Sequence, residues 1–248
     1  MASLRELEER RAYELRLTAD RALASRDETL GFLRERGLLT RTPDSALPSF
    51  FGACHEEPYL AGRGGFAEWP ATKYPWYFDL AERDDVHELW IHNGKSVLLT
   101  EETRVLADPI LRAELARVER ADPEWTRLLR HLAEAGASTK EDLRVELGMK
   151  AKEVKLALSP LLRVGPVVRR GDEYLRYDQA YPEPSGRGGL DELVVAAVLA
   201  AIVAPEPEVA RKWLSWRWLF SDGYVERLVE EGRLERPEPG WVTAPASA

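Results

Sequence analysis

Between Lys140 and Arg170 the chain carries eight cationic side chains, Lys140, Arg144, Lys150, Lys152, Lys155, Arg163, Arg169 and Arg170, against four acidic ones, Glu141, Asp142, Glu146 and Glu153. The segment is locally +4 in a protein whose formal net charge is −8. Net charge governs long-range steering and says little about one face, so a patch of this kind is the chemistry of phosphate neutralisation on double-stranded DNA. Charged helices also show such runs as solvated faces. The spacing favours the nucleic-acid reading: Lys152 and Lys155 lie one helical turn apart, and Arg169 and Arg170 follow on a strand pair.

A second group with chemical potential is FAEWPATKYPWYFDL, Phe66 to Leu80, with six aromatic side chains and two prolines in fifteen residues. Trp69, Tyr74, Trp76 and Tyr77 are base-stacking candidates, at ~1 to 3 kcal/mol per base. Burying the same rings in a core is worth a similar ~1.5 to 3 kcal/mol each. Pro70 and Pro75 stiffen the segment, and its irregular, Pro/Gly-rich setting favours a site over a core. Glu68 and Asp79, beside these rings, are the candidate catalytic carboxylates for positioning water or stabilising a positive sugar, although most exposed acids do no chemistry. Trp213, Trp216 and Trp218 interleave with Arg211, Lys212 and Arg217 as in a single-strand binder, but their spacing favours packing at a core or module interface.

Other chemistries drop away. Cys54 is the single cysteine, so no disulfide forms within the chain and no thiolate metal cage can be built. The four histidines, His55, His87, His92 and His131, show no metal-ligand spacing. Phosphate-loop, dinucleotide and nucleophile-elbow patterns are missing, and no cofactor is expected. The N-terminus is densely charged, unlike a secretory signal, and LVVAAVLAAIVA from Leu193 to Ala204 is too short to cross a bilayer. It reads as a buried helix in a cytoplasmic protein.

These residues need elements to hold them. Leu4 to about Ala24 is read as one amphipathic helix, and Ser25 with Glu28 opens a second that runs to Arg36 and stops at Gly37. From Thr40 to about Asp85 no period persists, and VHELWIHNGKSVLLT then forms a hairpin about Asn93-Gly94. Asp122 caps a helix that has Pro123 at its first position and Trp125, Leu128, Leu129 and Leu132 on one face. Ser138 and Glu141 cap a short helix, a third runs from Lys150 to Leu161, and VGPVVRRGDEYLRYD turns at Gly171-Asp172. Helix, short helix, helix and hairpin make a winged helix-turn-helix. The layout returns after YPEPSGRGG, with helices over Leu190 to Ala204, Glu208 to Trp216 and Ser221 to Glu231. A third copy is suggested by SRDETLGFLRERGLLTRT. The expected fold class is α+β, mainly α, with tandem winged-helix modules: residues 1–107 (N-terminal helices, aromatic segment and hairpin), 108–180 (winged helix), 181–189 (linker) and 190–248 (C-terminal winged helix).

The run EWPATKYPWYFDLAERDDVHELWIHNGKSVLLTEE, Glu68 to Glu102, followed by this tandem layout, resembles bacterial proteins related to the AlkZ/YcaQ family. Over Leu30 to Ala244 the resemblance implies tandem winged helices and a link to DNA glycosylases that excise alkylated or crosslinked bases. The Gln-x-Gln or Gln-x-Asp catalytic motif of those enzymes has no counterpart, since the one glutamine is Gln179. The expected function is DNA binding related to repair of damaged or distorted duplexes. The alternative is a transcriptional regulator or protein-interaction protein without glycosylase activity.

Overall fold

The structure is a computed structural model, and it describes residues 2–56, 70, 72–121 and 123–245. Helix α1 (Leu4–Glu14) is capped by Ser3 and ends well before Ala24, because the chain reverses at Arg16, whose φ is 56°. A 3-10 turn at Ala19–Arg21 follows, and Leu15 and Leu23 both enter the core. Helix α2 (Arg26–Arg36) begins where Ser25 accepts from the Glu28 amide and ends at Gly37, whose φ of 75° suits a residue without Cβ. Strand β1 (Leu38–Thr40) comes next. The segment without period proves to hold two helices, α3 (Phe50–Cys54) and α4 (Tyr74–Ala81), the latter with Pro75 in its first turn. Strands β2 (His87–His92) and β3 (Lys95–Leu99) form the expected hairpin, with Asn93 and Gly94 both at positive φ as a type I′ turn requires. The sheet order is β1-β3-β2, all antiparallel.

Helix α5 (Glu101–Val118) crosses from this unit to the next, so the expected boundary at 107/108 falls inside it. Pro109 lies within α5 and has no N–H to offer Val105. The linker docks against that turn: the Gly189 amide donates to the Leu106 carbonyl at 3.0 Å, and a Cβ on Gly188 would lie 2.6 Å from the Leu106 Cα. The linker is therefore fixed to α5 at Tyr181, Ser185, Gly188 and Gly189.

The same order then repeats. Helix α6 (Pro123–Ala135), β4 (Ser138–Thr139), α7 (Lys140–Glu146), α8 (Ala151–Val164), β5 (Val167–Arg170) and β6 (Glu173–Arg176) build a sheet of order β4-β6-β5. The cap of α7 is Thr139 with Asp142, one residue on from the expected pair, because Ser138 is drawn into the sheet and its hydroxyl donates to the Gly136 carbonyl. A short helix α9 (Tyr177–Ala180) leads to the last unit: α10 (Leu190–Ala201), β7 (Val203–Pro205), α11 (Glu206–Arg211), a 3-10 turn at Arg217–Leu219, α12 (Tyr224–Glu230) and β8 (Trp241–Thr243). The apolar run is thus a helix broken at Ile202 (φ 71°) and then a strand; continuous apolar residues carry no period to separate the two. Strand β7 pairs with β8, and Glu235 bridges Thr243 on the other side.

The last unit closes on the first two. Trp213 and Trp216 are 1% and 0% exposed, and the Trp216 indole donates to the Val164 carbonyl at 2.9 Å. The Ser215 amide donates to Ile91, the Gly94 amide to the Ser215 hydroxyl, and His92 Nδ1 lies 2.8 Å from the Trp213 carbonyl. The β2–β3 hairpin tip is consequently contacted by Arg163 of α8 and by Ser215 after α11, while Asn93 and Lys95 stay exposed.

Candidate nucleic-acid interface

Each unit has a third helix, followed by a hairpin in the first two and by the single strand β8 in the last, and the three differ in chemistry. Helix α4 has no cation, and buries Tyr77 and Leu80 against Phe50 and the rest of the first unit's core. Helix α12 and its surroundings are knitted by ion pairs: Arg227 with Asp191 and Glu231, Arg233 with Asp191 and Glu192, Arg236 with Glu206 and Glu226. Helix α8 alone presents unneutralised cations. It buries Val154, Ala157, Leu158 and Leu161 and turns Lys152 and Lys155 outward, exposed and in no ion pair among the described residues. The Lys150 amide is held by the Glu153 carboxylate at 2.7 Å, which fixes the start of the helix.

The remaining predicted cations divide by role. Lys140 is exposed, with its ammonium 5.7 Å from the Tyr174 ring, and Arg144 is paired with Glu141 on the same surface helix. Arg163 lies against Gly94 and so faces the first unit's hairpin tip. Arg169 is exposed at the β5–β6 turn, donating to the Gly171 carbonyl at 2.6 Å. Arg170 is also exposed, its guanidinium donating to the Ala180 carbonyl at 3.0 Å and lying 5.4 Å over the Tyr181 ring. All eight predicted cations are therefore exposed; Arg144 and Arg169 are partnered by Glu141 and Asp172, while Lys152 and Lys155 on α8 have no ion pair among the described residues. Val145 and Leu156 stand exposed among them.

The aromatic segment answers differently from expectation. Tyr77 is fully buried, its hydroxyl 3.3 Å from Ser96, because positions 77 and 80 of α4 face the core; it is not a stacking surface. Tyr74 packs edge-on against Phe78 at 4.9 Å, and Trp76 is half-buried beneath Lys73. Asp79 pairs with Arg26 at 3.0 Å and ties α4 to α2. Glu68, Trp69 and Asp122 lie outside the described residues.

Sequence reasoning missed a cleft of about 420 Å³ between the α4–β2 connection and the β5–β6 hairpin. His87, Glu88, Arg169 and Tyr181 line it. His87 is committed on both ring nitrogens, Nε2 at 2.9 Å from Glu101 and Nδ1 at 3.1 Å from the Tyr181 hydroxyl, and burial lowers its pKa. Glu88 is half-buried; burial raises its pKa from the ordinary carboxylate value, against the hydrogen bond from Ser96 and the charges of Arg169 and Arg41. Alternation along HELWIH points Leu89 and Ile91 into the core and leaves Glu88 on the other face, but no local pattern reveals that a second unit packs over it.

Helices predominate over small antiparallel sheets, which makes the protein α+β and mainly α. Its fold is similar to that of the Streptomyces sahachiroi DNA glycosylase AlkZ, with a TM-score of 0.52 and 17% identity over 94% of this chain and 67% of that one. This is the fold relationship implied by the resemblance to AlkZ/YcaQ-related proteins. No protein-family model and no curated protein matches the chain. Among the described residues no helix is long and apolar enough to cross a membrane, and no cluster of three or more potential metal ligands occurs.

Proposed function

We propose that the protein binds double-stranded DNA, with its three units acting as winged helices and the middle one making the principal contact. Helix α8 enters the major groove, Lys152, Lys155 and Arg169 neutralise phosphates, and exposed Leu156 is available to thymine methyl groups. The observation that carries this reading is the outward pair Lys152 and Lys155, unpaired on the only basic third helix of the three. A fold shared with a DNA glycosylase supports a partner that is damaged or distorted duplex and a place in DNA repair.

The double substitution K152E/K155E should weaken binding to unrelated duplexes alike, by at least tenfold, while K212E on the last unit leaves it unchanged. Equal loss in both variants would remove the assignment to α8. Val145 and Leu156 favour a second reading, a protein-docking face. That reading predicts a stable complex without DNA that L156E abolishes.

A further inference from the structure

We infer that the turn after α11 is a platform for an unpaired DNA strand, with Trp218 stacking on a base and Arg163, Arg211 and Arg217 holding the neighbouring phosphates. The platform is separate from the duplex-facing start of α8, and only the choice of DNA as the strand rests on the duplex reading proposed above.

Three tryptophans fall close together here, and packing uses two of them. Trp213 and Trp216 are buried, and the Trp216 indole fixes the turn to the Val164 carbonyl at the end of α8. Trp218 stands more than half exposed, next to exposed Leu219. Folding leaves this ring unused, yet one of its faces is already supported. The Arg117 guanidinium lies 5.2 Å from the ring centroid and is held through two hydrogen bonds by the buried Glu114 carboxylate. An indole backed by a fixed cation and open to solvent is a stacking surface, and it accepts any base because every base has a π-face.

Cations without carboxylate partners surround that ring. Arg217, the preceding residue, is exposed, and its guanidinium donates to the Asn93 side-chain oxygen at 2.8 Å. Arg163 lays its stem along Gly94 on the same hairpin tip and is exposed as well. Arg211 and Arg217 line a groove of about 620 Å³ between α11 and α12, together with Phe220. Two of the acids on that groove, Glu206 and Glu226, are taken by Arg236, which leaves Asp222 against the two arginines. Arg163, Arg211 and Arg217 form no ion pair among the described residues. Arg163 also lies three helical turns, ~16 Å, beyond Lys152 on the same face of α8. A strand leaving a duplex seated on Lys152 and Lys155 therefore runs along α8 to Arg163, Arg217 and the Trp218 ring, and the expected ligand is a duplex with a single-stranded overhang.

The test measures the anisotropy of four labelled probes titrated with the full chain: a blunt duplex, oligothymidine, an abasic strand of the same length and the matching oligouridine. The wild type should bind oligothymidine at least ~10-fold more tightly than the abasic strand, and no less tightly than oligouridine. W218A should weaken oligothymidine binding about 10- to 100-fold while W218F retains most of the affinity, and both should keep the blunt duplex within about twofold. R163A/R217A should lower the salt slope for oligothymidine by about 1.4, and K152E/K155E should lose the blunt duplex and keep oligothymidine. If W218A fails to fold, the abasic comparison and the R163A/R217A slope decide. Equal affinity for the abasic and base-bearing strands, unchanged oligothymidine binding by folded W218A, or equal loss of both probes in K152E/K155E would overturn the platform and leave duplex binding standing. Tighter binding of oligouridine would overturn the choice of DNA. A wild type that binds oligothymidine but no blunt duplex would overturn the α8 reading and leave the platform.

Discussion

Asp79 shows how a residue that looks chemical is used up by structure. Its carboxylate is 3.0 Å from the Arg26 guanidinium, and both side chains are substantially exposed, so the pair is worth little. D79N should leave stability within ~0.5 kcal/mol in denaturant unfolding and leave duplex affinity unchanged; a lost affinity would return Asp79 to the interface. Cys54 is the opposite case, a nucleophile silenced by its surroundings. It is fully buried, and burial pushes its thiol up to about 12. A disulfide reagent should fail to label the native protein at pH 8 and label one thiol per chain once it is unfolded. Glu88 could not be singled out from sequence, because its environment includes Arg41 just after β1 and Arg169 of β5, which are distant along the chain.

The three tryptophans near α11 separate cleanly once the elements are assembled. Trp216 is fully buried and hydrogen-bonded to Val164 across units, whereas Trp218 is 53% exposed with Arg117 over its ring at 5.2 Å. W216A should cost ~3 to 5 kcal/mol in denaturant unfolding, and W218A well under 1 kcal/mol. Equal costs would mean that the last unit is not anchored through Trp216. Elements with local signals were legible: α2 from Ser25 to Gly37, the Asn93-Gly94 and Gly171-Asp172 hairpins, and the α6 to α8 series with its apolar face. Those defined by distant partners were not. Helix α5 carries Pro109, which reads as a breaker until the Gly188–Gly189 linker is seen lying on that turn. Helix α4 hid in a proline-rich run because its period is short, and β7 hid in an apolar stretch that any buried element would satisfy. Of the site, the basic face of α8 followed from charge and spacing, while the burial of Tyr77 followed only from packing.

At the scale of the whole molecule, histidines sit at both junctions between units. His87 bridges Glu101 of α5 and Tyr181 after α9, and His92 holds the Trp213 carbonyl; burial lowers the pKa of each. The unfolded chain therefore binds protons that the folded one refuses as pH falls through ~6.5, so stability should drop between pH 7 and pH 5. A thermal melt series should show Tm falling over that window, and H92N should flatten the fall; a flat wild-type profile would mean that the histidines titrate freely in the folded state. The junctions also put the first hairpin against the last unit, whereas Arg169 and Arg170 on the second hairpin stay exposed, which fits the proposed docking of a duplex on α8 and the β5–β6 turn. Because the protein is acidic overall, the proposed binding to DNA draws its attraction from that local face. The most direct measurement is the affinity for a duplex across ~50 to 200 mM salt, for the wild type and for K152A/K155A. The account predicts that affinity falls linearly with the logarithm of salt concentration and that the double variant reduces the slope by about two. An affinity that does not change with salt, or a slope that is the same in both proteins, would contradict it.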